Sequence, residues 1–403
     1  MRFHVTTLGC PKNVVDSEMM AELLRQAGHA VVETPADADV LIVNTCGFIA
    51  AARDESCTTL RELAAAKSPQ QLLVAAGCMA QRYGAALRRR EPALDAVIGT
   101  RSWPQIVSFV ERLAAGPRRQ LHLLVEEQAD LVASVRRRPE LGATAYLKIA
   151  DGCSAGCAFC AIPLIKGRQQ SKPPEDILRE ARELAEQGVR ELLLIGQDTT
   201  AYGRDRREDD ALPELLRRIA RTAPELRWLR LLYAYPQHVS PWLIDTMAEL
   251  PQMCHYLDLP LQHAHPDVLH RMHRPHDLDA VRALLQRVRT AMPDVSLRTS
   301  FIVGFPGETD DEFEALLAFI REVAFDKVGV FGYSREEGTA AARMAGHVPA
   351  ELIDERRDRA MLLQQEISLE RNRAQVGRQL PVLIDGAGDG VSVGRSYRDA
   401  PEI

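Results

Sequence analysis

The run Tyr146-Leu147-Lys148-Ile149-Ala150-Asp151-Gly152-Cys153-Ser154-Ala155-Gly156-Cys157-Ala158-Phe159-Cys160 is the stretch from which the rest of the chain can be read. Residues 146–149 have the short apolar character of a buried strand. The cysteines follow directly, at the carboxyl edge where barrel enzymes build their active sites. Three thiolates at Cys-x3-Cys-x2-Cys spacing can wrap one face of a cubane iron–sulfur cluster and leave one iron open to a small molecule. A zinc knot is the competing reading, but it wants four ligands, and the next Cys or His after Cys160 is His238. Phe159 can flank the cluster or a bound purine, or shield the metal from water.

Strand-like and helix-like stretches alternate on both sides of this run. Downstream, strands are expected over 191–195, 229–233, 256–261, 296–303 and 327–331, with helices over 174–187, 278–291 and 310–323. Six such units suit an incomplete (β/α)6 barrel over residues 144–347. Upstream, strands over 3–8, 40–43, 72–76 and 96–98 alternate with helices over 16–27, 49–67, 80–90 and 104–114. That alternation implies a Rossmann-like parallel sheet with right-handed crossovers in residues 1–115. Residues 116–143, with Gly116-Pro117, Pro139 and Gly142, read as a linker. A long helix follows over 348–377, and residues 378–403 hold two strands around a Gly-rich turn. The fold class is α/β, in two main domains and a β ending.

Cys10, Cys46 and Cys78 each come just after an expected strand, and parallel strands put their carboxyl ends side by side. Gly9-Cys10-Pro11, Cys46-Gly47 and Gly77-Cys78 keep bulk low for a metal. Three unrelated buried cysteines would instead scatter over both faces. Cys57, inside a helical pattern, and Cys254, before a strand, read as packing residues. Gly196-Gln197-Asp198 and Gly304-Phe305-Pro306-Gly307-Glu308 fall at barrel strand ends, where a glycine lets backbone groups meet a ligand. Gly196, Gln197, Gly304 and Phe159 are therefore the candidate cofactor contacts. Tyr233-Ala234-Tyr235-Pro236, Gln262-His263 and Tyr333 share that edge, and His263 alone would be a structural histidine.

Composition narrows the function classes. The chain has 403 residues, 46% hydrophobic and 26% charged, so it is globular. Residues 1–140 carry 17 Lys/Arg against 16 Asp/Glu and the rest 33 against 40, which argues against a protein that wraps a nucleic-acid duplex. No apolar run reaches the ~18 residues of a membrane span, and the start lacks a secretory signal. A cytoplasmic location is expected, where eight cysteines serve as ligands or core residues and not as a disulfide framework.

With these residues in view, the whole chain resembles the radical S-adenosylmethionine (SAM) methylthiotransferases. The Cys153, Cys157, Cys160 run is similar to the radical SAM signature. The three-cysteine domain before it is similar to the family's own amino-terminal module. Leu8-Gly9-Cys10-Pro11-Lys12-Asn13, Asn44-Thr45-Cys46-Gly47-Phe48-Ile49, Gln197-Asp198-Thr199-Thr200-Ala201-Tyr202-Gly203, Leu231-Leu232-Tyr233-Ala234-Tyr235-Pro236 and residues 330–339 carry the likeness. They match best the branch that modifies an aspartate of small-subunit ribosomal protein twelve.

The resemblance implies two [4Fe–4S] clusters, one on Cys153, Cys157 and Cys160 that binds SAM, the other on Cys10, Cys46 and Cys78 that carries sulfur. It implies a deoxyadenosyl radical, because the aspartate β C–H bond is too weakly acidic for a general base. It also implies a one-electron donor such as flavodoxin. No catalytic side chain is assigned. The segment Lys166-Gly167-Arg168-Gln169-Gln170-Ser171-Lys172 departs from the family pattern: two arginines are Lys and Gln170 has lost the charge. Residues 380–403 resemble only the beginning of the family's TRAM β-barrel, and weak recognition of the protein substrate is expected from that. Two other readings stand beside this one: a tRNA adenosine methylthiotransferase, and a non-catalytic iron–sulfur sensor, which needs no open iron at two centres.

Overall fold

The computed structural model describes residues 1–116, 121–123, 135–139 and 142–401. The chain divides into two compact units. One is Met1–Glu140 with Asp151–Ser154 and Ala161–Asp176; the other is Leu141–Ala150 with Ala155–Cys160 and Ile177–Ile403.

The first unit is built on six parallel strands, β1 (Arg2–Thr7), β2 (Ala30–Val31), β3 (Val40–Thr45), β4 (Leu72–Ala76), β5 (Ala96–Gly99) and β6 (Leu121–Leu123), in the order β2-β1-β3-β4-β5-β6. β3 and β4 are buried along their whole length, which is why residues 40–43 and 72–76 read as unbroken apolar runs. Helices α1 (Pro11–Gln26), α2 (Ala50–Ala66), α3 (Gly77–Arg90) and α4 (Ile106–Ala115) cross between them. Leu41, Val43, Leu73, Ala75 and Val97 of the sheet pack with Cys57 and Leu60 of α2 and Met79, Ala80 and Leu87 of α3.

Three features depart from the expected pattern. α1 begins at Pro11, five residues early, because its first turns bury Asn13, Asp16 and Ser17, which hide the apolar period: Asn13 and Ser17 bond to the strand ends and Asp16 pairs with Lys166. The two residues of β2 are exposed and too few to show alternation. The residues read as a linker lie largely outside the described residues, but Leu121–Leu123 within them pairs with β5.

The second unit holds six parallel strands in chain order, Thr144–Lys148, Glu191–Ile195, Trp228–Leu231, Met253–Asp258, Ser296–Val303 and Lys327–Gly332. Sequential parallel pairing without closure is the partial barrel expected. Met253–Asp258 starts earlier than expected and takes in Cys254, which is 2% exposed, so that residue is core and not a loop ligand.

At the amino end of this barrel, Arg230 and Glu191 form a fully buried ion pair with Nε to Oε1 at 2.8 Å. Arg395, from the last hairpin strand, also pairs with Glu191 and donates to Thr144 Oγ1 at 2.7 Å. Arg230 donates to the Tyr397 carbonyl at 2.7 Å. This network ties the carboxy-terminal hairpin, Val382–Gly388 with Val391–Ser396, to the barrel floor. Glu191→Ala strands two buried guanidinium groups and should cost about 3–5 kcal/mol. The urea midpoint should fall accordingly, and Glu191→Leu combined with Arg230→Met should recover part of the loss.

Candidate functional site

Parallel register decides the site of the first unit. Thr7 is level with Asn44, and Asn44 with Ala76, so the next residues of β1, β3 and β4 leave the sheet together. Cys10 is the N-cap of α1, Cys46 follows β3 at once, and Cys78 is the second residue of α3. A side chain at Gly9 (φ +90°) would put its Cβ 2.7 Å from Cys46 Cβ and 3.0 Å from Cys46 Sγ, so the Cys10 loop can approach Cys46 only without one. Asn13 Nδ2 donates to the Leu8 carbonyl at 2.8 Å, and Asn44 Nδ2 donates to the Asn13 carbonyl and Ser17 Oγ, each at 2.9 Å. Ser56 Oγ accepts the Cys46 N–H at 3.1 Å and donates to the Cys46 carbonyl at 3.0 Å. Polar side chains thus brace the loops around Cys10 and Cys46, and the Cys78 thiol donates to Asn13 Oδ1 at 3.8 Å.

Burial governs the acidity of these thiols. Burial pushes the Cys78 thiol up to about 12; Lys166 opposes the rise, and Cys10 and Cys46 add to it. Burial raises Cys46 too, against the Phe48 amide and with Cys10. Metal binding must release those protons. A tetrahedral zinc with bonds of about 2.3 Å would hold sulfurs roughly 3.8 Å apart. Among the described residues, the trio of metal-binding atoms lying within 4.8 Å of one another is His265, Asp267 and Glu312, not these cysteines. Glu312 there is engaged by Arg271 at 2.8 Å and by the Thr309 cap. The Cys46 and Cys78 thiols are buried and that of Cys10 half-buried, and the three are not drawn together tightly enough for a single tetrahedral ion.

Lys166, which the sequence marked as a departure without giving it a role, is 2% exposed and closes the same site. It ends the short helix α5 (Ile162–Lys166), whose Ile165 and N-cap Ala161 pack with Cys78. Its Nζ lies 3.1 Å from Asp16 Oδ2 and 3.0 Å from Asp151 Oδ2, both buried. Burial works against the ammonium, but Asp151 and Asp16 outweigh it and hold its pKa well above the ordinary value. A compact point charge can serve two carboxylates at once, which is what Lys166 does here. The Cys153 N–H donates to the Gly167 carbonyl at 3.1 Å, in the loop just beyond.

In the second unit the carboxyl ends of the barrel strands carry the remaining candidates. Ala158 sits between two backbone bonds, its N–H donating to the Met272 carbonyl at 2.9 Å and its carbonyl accepting from Ala341 at 2.8 Å. Phe159 packs beside Ala158, Val268, Met272, Phe305 and Ala341. Gly196 has only ordinary contacts where a Cβ would stand, and Gln197 is half-buried beside it. Asp198 accepts from Thr200 Oγ1 at 2.7 Å and the Ala201 N–H at 3.1 Å, and pairs with His238 Nδ1 at 2.8 Å.

Gly304 differs from what its position implied. A Cβ there would lie 2.3 Å from Ile353 Cγ1, so its open side is filled by the helix Ala350–Arg373. Its N–H donates to Glu308 Oε2 at 3.0 Å, and Arg356 of the same helix meets Glu308 Oε1 at 2.8 Å. His263 is buried and structural: its Nδ1 accepts the His265 N–H at 3.0 Å while Nε2 faces Glu308 Oε2 at 3.5 Å. Tyr233, Gln262 and His273 hold positive φ of 60°, 76° and 56°, a strained conformation gathered near this edge that no sequence signal marks.

Three family models match the chain. They are described as Uncharacterized protein family UPF0004 over residues 2–99, Radical SAM superfamily over residues 147–320, and TRAM domain over residues 376–403. The ribosomal protein uS12 methylthiotransferase RimO of Roseiflexus sp. (strain RS-1) is 51% identical, across 100% of this chain and 90% of its own length. The chain belongs to the RimO family. The RimO of Herpetosiphon aurantiacus is 49% identical over 100% of this chain and 93% of that relative. Membership makes the chain a radical SAM methylthiotransferase whose cofactors are SAM and [4Fe–4S] clusters. Among solved structures, the radical SAM methyltransferase TsrM from Kitasatospora setae, with cobalamin and a [4Fe-4S] cluster bound, is 15% identical with a TM-score of 0.63, covering 84% of this chain and 76% of TsrM. That likeness is one of fold. No helix among the described residues is long and apolar enough to cross a membrane.

Gly9→Ala should push Cys46 aside and lower the iron taken up on anaerobic reconstitution to roughly half. Gly28→Ala, with a similar φ of +85° but nothing within 4 Å of the added carbon, should keep full iron. Iron counting on both variants separates crowding of the thiols from backbone strain alone.

Proposed function

We propose that this chain installs a methylthio group at the β-carbon of an aspartate in small-subunit ribosomal protein uS12. In this reading Cys153, Cys157 and Cys160 hold the SAM-binding cluster, and Cys10, Cys46 and Cys78 hold the sulfur-carrying one. The observation that carries it is the first unit's trio: Cys10, Cys46 and Cys78 follow neighbouring parallel strands that end at one level, with Gly9 closed against Cys46. Three ligands for a cubane leave one iron free for exogenous sulfur. When bound, the clusters and SAM supply the electron, the deoxyadenosyl radical and the methylated sulfur.

The chain's own residues have simpler tasks. Asn13, Asn44 and Ser56 hold the cysteine loops open in advance, so that assembly orders little backbone. Phe159 keeps water from one flank of the SAM cluster, Gly196 and Gln197 line the SAM side, and Gly304 with Glu308 shapes the neighbouring loop. Residues 1–115 would form the sulfur-carrying domain and 144–347 the radical-generating barrel. A one-electron donor such as flavodoxin would reduce the enzyme in the cytoplasm.

Anaerobic incubation with SAM, a reductant and both uS12 and tRNA, followed by mass spectrometry, tests the substrate. A methylthio group on a uS12 aspartate is expected; modification of tRNA alone overturns the assignment. The variants Cys153/Cys157/Cys160→Ala and Cys10/Cys46/Cys78→Ala should each retain about half the wild-type iron. Iron for only one cluster in the wild type would point to the sensor instead.

A further inference from the structure

Arg274 is 8% exposed and belongs to no ion pair found among the described residues. Its NH1 donates to Cys157 Sγ at 3.8 Å, and NH2 donates to the Pro260 carbonyl. Its guanidinium lies 4.2 Å from the centre of the Tyr235 ring, and its Nε has no partner. The cation is therefore held against a cysteine sulfur and an aromatic face, with no carboxylate among the described residues to neutralise it.

The geometry around it is rigid. The Arg274 N–H donates to the Leu269 carbonyl at 2.8 Å, and His273 adopts a positive φ of 56°, which turns the chain back. Residues 272–274 then grip the cysteine loop at three successive points. Met272 accepts from Ala158, His273 Nδ1 donates to the Gly156 carbonyl at 3.2 Å, and Arg274 reaches Cys157. A guanidinium on a bare surface would swing freely, and this one cannot.

We propose that Arg274 sets the reduction potential of the cluster held by Cys157, acting through an N–H···S bond on a cation stacked over Tyr235. This rests on Cys157 being a cluster ligand. Adding an electron to a cluster adds negative charge, and a fixed positive charge with a hydrogen bond at a ligand sulfur stabilises that state. Burial keeps water from screening the interaction, and the Tyr235 face favours the cation where it stands. Arg274 is thus a positioning and tuning residue, which makes the cluster easier for a weak donor to reduce.

The test uses the full chain, reconstituted anaerobically and titrated with a reductant while followed by electron paramagnetic resonance. The component whose spectrum changes on adding SAM reports the cluster at Cys157; the other is an internal reference. In Arg274→Gln the ratio of reduced to oxidised SAM-responsive cluster, at fixed ambient potential, should fall about tenfold, which is 59 mV for one electron. Arg274→Lys, keeping charge without the fork, should fall by less. The reference component should not move in either. Full iron with an unchanged midpoint in Arg274→Gln overturns the proposal. Should Arg274→Gln fail to hold iron, Tyr235→Leu decides: a lowered SAM-responsive midpoint sustains the proposal and an unchanged one overturns it. A SAM-responsive component that survives Cys157→Ser would instead show that Cys157 is not a ligand, a failure of the underlying assignment.

Discussion

Parallel strand pairing is the constraint on which the metal chemistry of this chain depends. Because β1, β3 and β4 run the same way and stay in register, loops from residues 8, 45 and 77 leave the sheet at one level. An antiparallel arrangement would have sent alternate cysteines to opposite ends. The cysteine trio is thus a product of backbone hydrogen bonding that exists whether or not metal is present. β3 and β4 lie inside the sheet, paired on both edges by backbone hydrogen bonds, and that pairing fixes their level.

Buried charge is the second recurring device. Lys166 lies between Asp16 and Asp151, and Glu191 between Arg230 and Arg395. Such groups stabilise little on balance, since desolvation consumes most of their attraction. Their effect is on specificity, because a displaced partner leaves a bare charge in an apolar interior. The Lys166 group fixes α5 and the Cys153 loop relative to α1. The Glu191 group fixes the carboxy-terminal hairpin at the end of the barrel away from the cysteine loop. Arg274 follows a different rule: its charge meets a sulfur and a ring, a setting that suits influence on a neighbour more than structural pairing.

The helix Ala350–Arg373 shows how one element can revise the meaning of a motif. Ile353 fills the space beside Gly304, and Arg356 anchors Glu308, so the glycine-rich turn after Ser296–Val303 is shaped by packing from behind. A glycine at a strand end admits either a ligand or a neighbouring side chain. Only the position of the helix distinguishes them.

Much of the molecule was legible from residues alone. Apolar runs in β3, β4 and Glu191–Ile195 announce parallel sheet because burial on both faces leaves no polar alternation. Cys-x3-Cys-x2-Cys announces a cluster because thiolate spacing is a local property of the chain. Family likeness supplied the reaction. Other features are non-local, and no window of sequence contains them. That Asn13 and Asn44 bond to each other's loops, that Lys166 faces two carboxylates, that Ile353 occupies the Gly304 cradle and that Arg274 touches Cys157 all join residues separated by 15 to 150 positions in the chain. Polar residues such as Asn13, Asp16 and Ser17 read as solvent-facing until their partners are known. The linear pattern records which side chains avoid water; the folded chain alone decides which polar groups can leave it together, because that depends on finding a partner in space.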